Sequence, residues 1–195
     1  MGINSSLNDF IKIFDDVIPE NVLKKLLMVC KTTNAFEIAS IKGSDNNSPL
    51  VDEKIRKTLT WPMGNIDAKS LTEAHWNNFL INIFTNNIKK YLKEIKTDQD
   101  FLIKEIQILK YLPGGFYKFH VDHGINIPRT YSCIFFVNQD YEGGSLIFKD
   151  SLTEKNHKIE KQKNRLVIWP SNFLYPHSVE PVTKGERYSV VSWAE

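Results

Sequence analysis

From residue 101 onward the chain is written in short apolar or alternating runs cut by Gly, Pro, Asn and Asp, the texture of strands joined by turns. The runs predict strands over Ile106–Tyr111, Phe116–Val121, Thr130–Asn138, Ser145–Lys149, Leu166–Trp169, His177–Val182 and Tyr188–Trp193. Pro113-Gly114-Gly115, Glu142-Gly143-Gly144 and Lys184-Gly185 supply turns between them. Many short strands at this spacing predict an all-β sandwich or barrel.

The first hundred residues are patterned differently. Phe10 to Phe14 alternate like a short strand, and Pro19-Glu20 opens a helix with Val22, Leu23, Leu26, Leu27 and Cys30 on one face. A second helix starts at Ser70-Leu71-Thr72-Glu73, which has the form of a capping box. Trp76, Phe79, Leu80, Ile83, Phe84, Ile88 and Tyr91 follow at helical spacing, an unbroken stripe expected to pack on a sheet. Between the helices, residues 43–49 are rich in turn formers and read as an exposed loop, and residues 43–60 as a lid. The expected fold is mainly β with packed helices (α+β): one domain over 1–195, with helical support and lid in 1–100 and a jelly-roll core in 101–195.

Composition narrows this little. A chain of 195 residues with 42% apolar and 25% charged residues suits one soluble globular domain. A net charge of +2 argues against a dedicated nucleic-acid binder. Cys30 and Cys133 are the two cysteines, too few for a disulfide framework, and both read as buried thiols of a reducing compartment. No apolar run is long enough to span a membrane, and no signal peptide is visible, so the expectation is cytoplasmic, without a membrane partner. Met1-Gly2-x-x-x-Ser6 matches a bare myristoylation pattern, one short enough to occur by chance.

The chemistry lies in His120-x-Asp122, His177 and Arg187. Alternate residues on a strand share a face, so His120 and Asp122 can reach one ion, and His177 comes from a distant strand. Two imidazoles and one carboxylate suit Fe(II), Mn(II) or Zn(II) and leave positions open on the ion. The residual positive charge favours an anionic chelating co-substrate, for which Arg187, ten residues after His177, supplies a fixed cation. His-x-Asp alone is common by chance as a surface feature; the set of four is not. His123 should point to the opposite face, behind the ligands or on the surface, while His75 and His157 read as solvent-exposed.

Tyr111-Leu-Pro-Gly114-Gly-Phe-Tyr117-Lys-Phe-His120-Val-Asp122 resembles the prolyl 4-hydroxylase branch of the Fe(II)/2-oxoglutarate-dependent dioxygenases. The likeness runs through residues 131–138 and 141–148 to Pro176–Val182 and Lys184–Ser189, about residues 104–195 in all, with a weaker echo at 51–58. It implies a double-stranded β-helix (jelly roll, cupin-like) with N-terminal supporting helices. It implies Fe(II) on His120, Asp122 and His177, and 2-oxoglutarate on Arg187, Tyr111, Ser132 and Ser189. Tyr117, Trp193 and Arg56 fall on the substrate side. Collagen-type members usually carry lysine where Arg187 stands, so this position does not fix the substrate. Asp122 points to hydroxylation, since halide-transferring relatives lack the carboxylate.

The resemblance implies O2-dependent C–H hydroxylation with release of succinate and CO2, and ascorbate as reductant. A prolyl residue in a protein or peptide is the leading substrate. A free amino acid or small metabolite is the alternative. A nucleic-acid dealkylase would usually carry a second arginine where Trp193 stands. A non-enzymatic jelly-roll binding module would not need the four-residue set.

Overall fold

The computed structural model describes residues 6–42, 49–64, 70–150 and 153–195. After a 3-10 turn at Leu7–Phe10, β1 (Lys12–Phe14) leads into α1 (Glu20–Thr32). Five short strands follow, β2 (Glu37–Ile38), β3 (Ile41–Lys42), β4 (Pro49–Leu50), β5 (Arg56–Lys57) and β6 (Leu59–Met63), and then α2 (Leu71–Glu94). The remainder is β: β7 (Ile103–Tyr111), β8 (Phe116–His120), β9 (Tyr131–Phe136), β10 (Glu142–Gly143), β11 (Leu146–Lys149) and β12 (Asn156–Ile159). It closes with β13 (Arg165–Pro170), β14 (His177–Val179), β15 (Val182–Lys184) and β16 (Arg187–Ala194).

Two antiparallel sheets make a jelly roll. The large one runs β1-β13-β9-β16-β7-β6-β2 and the small one β12-β11-β14-β8-β5. Strand alternation divides the core. Ile106, Ile108, Cys133, Phe135 and Val190 face outward onto Leu80, Phe84, Ile88 and Tyr91 of α2. Leu109, Ile134, Phe136 and Val191 face inward onto Leu146, Phe148 and Val179 of the small sheet. Mainly β with packed helices is therefore the architecture, and Cys30 and Cys133 are buried and free. Burial pushes the Cys30 thiol up to about 12.

The helices begin and pack as their patterns predict. Ser70 caps α2, its hydroxyl accepting from Glu73 N at 3.1 Å. The Glu73 carboxylate reaches across to Gly64 N at 3.1 Å, tying the helix to the end of β6. The stripe is not purely apolar, however. Asn77 and Asn87 are buried beside it, and Asn87 Nδ2 donates to Ile83 O at 2.8 Å.

Residues 43–60 differ most from expectation. Residues 43–48 of that loop lie outside the described residues, as do Met1–Ser5 of the myristoylation pattern. Residues 49–60 carry β4, β5 and the start of β6 rather than one loop. β6 pairs with β7 in the large sheet and β5 with β8 in the small one. Strands this short and polar carry no periodic signal, because their longer neighbours supply the hydrogen bonds. The first hundred residues thus give β1, β2 and β6 to one sheet and β5 to the other. The predicted strand His177–Val182 is two strands, split at Glu180-Pro181, where proline offers no N–H.

Asn164 fastens the N-terminal segment to the sheet. Its Oδ1 accepts from Ile18 N at 3.1 Å, and its Nδ2 donates to Ile18 O at 2.7 Å. Its φ of 64° lies in the left-handed region. Asn164→Ala should destabilise the fold by about 2–3 kcal/mol, and Asn164→Gly by less, because glycine relieves the backbone. Urea denaturation checks this, and equal losses in both variants would remove the backbone part of the argument.

Candidate metal and co-substrate site

The antiparallel pairing of β8 with β14 sets His120 directly opposite His177. Asp122 follows two residues beyond the end of β8. His120 Nε2 lies 3.6 Å from Asp122 Oδ1, and His177 Nε2 lies 3.5 Å from Asp122 Oδ2. The three ligand atoms all fall within 4.8 Å of one another. His120 Nδ1 lies 2.8 Å from Lys118 O and His177 Nδ1 3.1 Å from Tyr175 O. A carbonyl only accepts, so each Nδ1 carries the proton and each Nε2 turns its lone pair toward Asp122. This donor set fits a divalent ion of the Fe(II), Mn(II) or Zn(II) kind.

The electrostatics suit the same task. Burial first, and then the neighbouring His177, push His120 down to about 3, so it stays neutral as a ligand must. Burial alone would raise the Asp122 carboxyl, but the pull of the histidines whenever they are protonated, the Ser132 hydroxyl and the Arg129 cation together hold it below the ordinary value. Ser132 Oγ donates to Asp122 Oδ2 at 2.7 Å and shares a second 2.7 Å hydrogen bond with Ser171 Oγ. Ser132, expected near the co-substrate carboxylate, is hydrogen-bonded here to the Asp122 carboxylate. Its inward turn on β9 at the level of Trp169 and Trp193 explains this, since Arg187 stands at the other end of β16.

β16 turns Arg187, Ser189, Val191 and Trp193 inward. Arg187 is 0% exposed. Its Nη1 donates to Ser189 Oγ at 2.9 Å, while Nε and Nη2 are buried without a partner. No carboxylate pairs with it among the described residues. Its guanidinium carbon stands 4.9 Å from the Tyr111 ring centre and 5.3 Å from that of Phe136. Gly144, at φ 63°, lets the strand pass over it, because a Cβ there would meet Arg187 Cδ at 3.0 Å. A buried guanidinium with two idle donors is the fit expected for a carboxylate supplied from outside the chain. Ser189 serves that fit by orienting the guanidinium.

A cavity of about 560 Å³ opens over the triad, lined by Tyr111, His120, Asp122, Trp169, His177 and Val191 among others. Tyr117, Trp193 and Arg56, the expected substrate-side residues, all line it. Tyr117 stacks on His120 with ring centres 3.6 Å apart, and the Arg56 guanidinium lies 4.9 Å over Tyr117. One wall residue went unread in the sequence, and another was placed on the wrong face. Arg129 lies 3.5 Å over the Trp193 ring and pairs with Glu105 at 2.9 Å. His123, expected to face away, also lines the cavity, its Nδ1 on Arg129 O at 2.8 Å. β8 ends at His120, so alternation no longer governs position 123. His75 is exposed as expected, whereas His157 is half-buried and bonds Asn8 Nδ2 at 3.1 Å.

Comparison with known proteins points the same way. Residues 106–195 match the 2OG-Fe(II) oxygenase superfamily. A PKHD-type hydroxylase of Stenotrophomonas maltophilia is 36% identical over 104 residues, covering 45% of this chain and 44% of that protein. The chain spans under half the length of the curated relatives it matches. The crystal structure of a Pseudomonas putida prolyl-4-hydroxylase superposes with a TM-score of 0.70 at 20% identity, over 96% of this chain and 95% of that one. A Trichoplax adhaerens prolyl hydroxylase, solved with a hypoxia inducible factor peptide fragment, gives a TM-score of 0.72 at 18% identity, over 95% and 83% of the two chains. The structural likenesses establish the jelly-roll fold. No helix among the described residues is long and apolar enough to cross a membrane. His120, Asp122, His177 and Arg187 all lie inside the segment that matches the 2OG-Fe(II) oxygenase superfamily.

Proposed function

We propose that the protein is an Fe(II)- and 2-oxoglutarate-dependent dioxygenase that hydroxylates a C–H bond of a prolyl residue in a protein or peptide. The observation that carries the reading is the convergence of His120, Asp122 and His177 on one cavity, with a buried arginine that lacks an anion behind its Tyr111 wall. The prolyl part draws support from the two prolyl hydroxylases of the same fold, one of them peptide-bound. A free amino acid is the second reading, favoured by the two aromatic walls, Tyr117 and Trp193, around one cavity.

The chain's own residues divide the work. His120, Asp122 and His177 would hold the metal. Arg187, beside the Tyr111 ring, would supply N–H donors for the distal carboxylate of 2-oxoglutarate. Ser132 keeps Asp122 in its ligand orientation. Leu109, Ile134, Leu146 and Val191 make an apolar floor that limits water around the co-substrate. When bound, Fe(II) and 2-oxoglutarate together supply the O2-dependent oxidising power for hydroxylation, with succinate and CO2 as by-products.

The test is succinate release with Fe(II), 2-oxoglutarate, ascorbate and O2, with and without proline-rich peptides. Peptide-stimulated release with a singly oxygenated peptide is expected, and failure to bind both Fe(II) and 2-oxoglutarate would overturn the reading. Arg187→Ala should weaken 2-oxoglutarate binding about 100-fold, the roughly 3 kcal/mol of a buried charge pair. Arg187→Lys keeps the charge and should lose less; wild-type affinity in both variants would refute the role. Ser132→Ala should lower metal affinity about 10- to 100-fold, read by metal titration. Unchanged affinity there would show that Asp122 does not need its hydroxyl partner.

A further inference from the structure

We infer that Arg56 reads a carboxylate on the substrate, next to the carbon that is hydroxylated. The inference rests on the oxygenase reading above and names the substrate class that its site selects.

Arg56 belongs to β5, the edge strand of the small sheet, and stands opposite Tyr117 in the β5–β8 pairing. It lines the cavity. Its Nη1 donates to Ser40 O at 3.2 Å, which fixes one side of the fork. Its Nε is buried without a partner. Among the described residues no carboxylate pairs with it, although Asp52 and Glu53 precede it closely in the chain. The Asp52 carboxylate is instead turned to Lys54 N at 2.8 Å.

The other charges of the cavity are accounted for. Arg129 is neutralised by Glu105. The metal ion's two positive charges and the one on Arg187 balance the single charge of Asp122 and the two of the co-substrate. Arg56 is left over, a partly buried cation facing the space where substrate must sit. An idle guanidinium in such a place favours a planar anion that accepts two N–H bonds, which is a carboxylate.

Position gives the spacing. The Arg56–Tyr117–His120 column, at 4.9 Å and 3.6 Å per step, carries the cation to the metal's flank. At roughly 3.3 Å per extended residue, the carboxylate falls within about two residues of the target carbon. Two sources meet that spacing: an Asp or Glu beside the target proline in a peptide, or the α-carboxylate of a free amino acid.

Calorimetry under anaerobic conditions tests this, with protein loaded with Mn(II) and 2-oxoglutarate. The first probes are proline peptides identical except for Glu against Gln beside the proline. The second are L-proline and its methyl ester. Wild type should bind the carboxylate member of a pair about tenfold more tightly, and Arg56→Gln should bring the ratio near one. Arg56→Lys should retain part of the preference. Preference within the peptide pair assigns the acidic side chain, and preference confined to proline over its ester assigns the α-carboxylate. Equal binding within both pairs by wild type, a ratio that survives in Arg56→Gln, or no binding of any carboxylate probe would overturn the inference. Binding of 2-oxoglutarate in the same titrations reports separately on the oxygenase reading.

Discussion

The register of β8 against β14 is the constraint on which the site depends. Slipping either strand by one residue would turn its histidine to the other face and leave Asp122 with a single imidazole. β14 has only three residues, so ladder hydrogen bonds alone fix it weakly. Packing does the rest. Phe148 pairs with His177 across β11, and the Trp169 ring meets His177 edge-on with centres 4.9 Å apart. On the other side Tyr117 stacks on His120. Asp122 lies past the end of its strand, and Ser132 of the large sheet restrains it. The ligand set is therefore a polar clasp between sheets that otherwise meet through apolar side chains.

Burial of charge follows from the same geometry. β16 lies inside the large sheet, between β9 and β7, so its inward positions reach the cavity floor. That puts Arg187 where water cannot solvate it. In a purely structural protein such a residue would be paired or replaced, since the desolvation of a guanidinium costs several kcal/mol. Here it is held by one hydroxyl and two aromatic rings, an arrangement that orients the fork without neutralising it.

Much of this was legible in the sequence, and the exceptions share a cause. The long strands and both helices carry their own periodicity, and the ligands and Arg187 stand at spacings that the chemistry itself imposes. β5, β6 and β12 carry no such signal, because they are recruited by the edges of longer strands. The contact of Ser132 with Asp122 depends on how two sheets face, which spacing along one strand cannot encode. Ser171 and Arg129 are of the same kind. Each acts through a neighbour distant in sequence, Ser132 for one and Glu105 with Trp193 for the other.

The two walls of the cavity differ in what they leave unsatisfied. On one, Arg129 is stacked on Trp193 and held by Glu105, so a ligand meets a flat, internally neutral surface. On the other, Arg56 lies over Tyr117, and Tyr117 on His120, in a column that ends in a cation with an idle donor. On the proposed reading, a substrate entering between them would lay an apolar body on the first wall and a carboxylate on the second. Because that column leans on a metal ligand, recognition and chemistry are joined by stacking contacts alone. If Arg56 reads the substrate as proposed, selectivity lies one aromatic ring away from His120, on the most weakly paired strand of the small sheet.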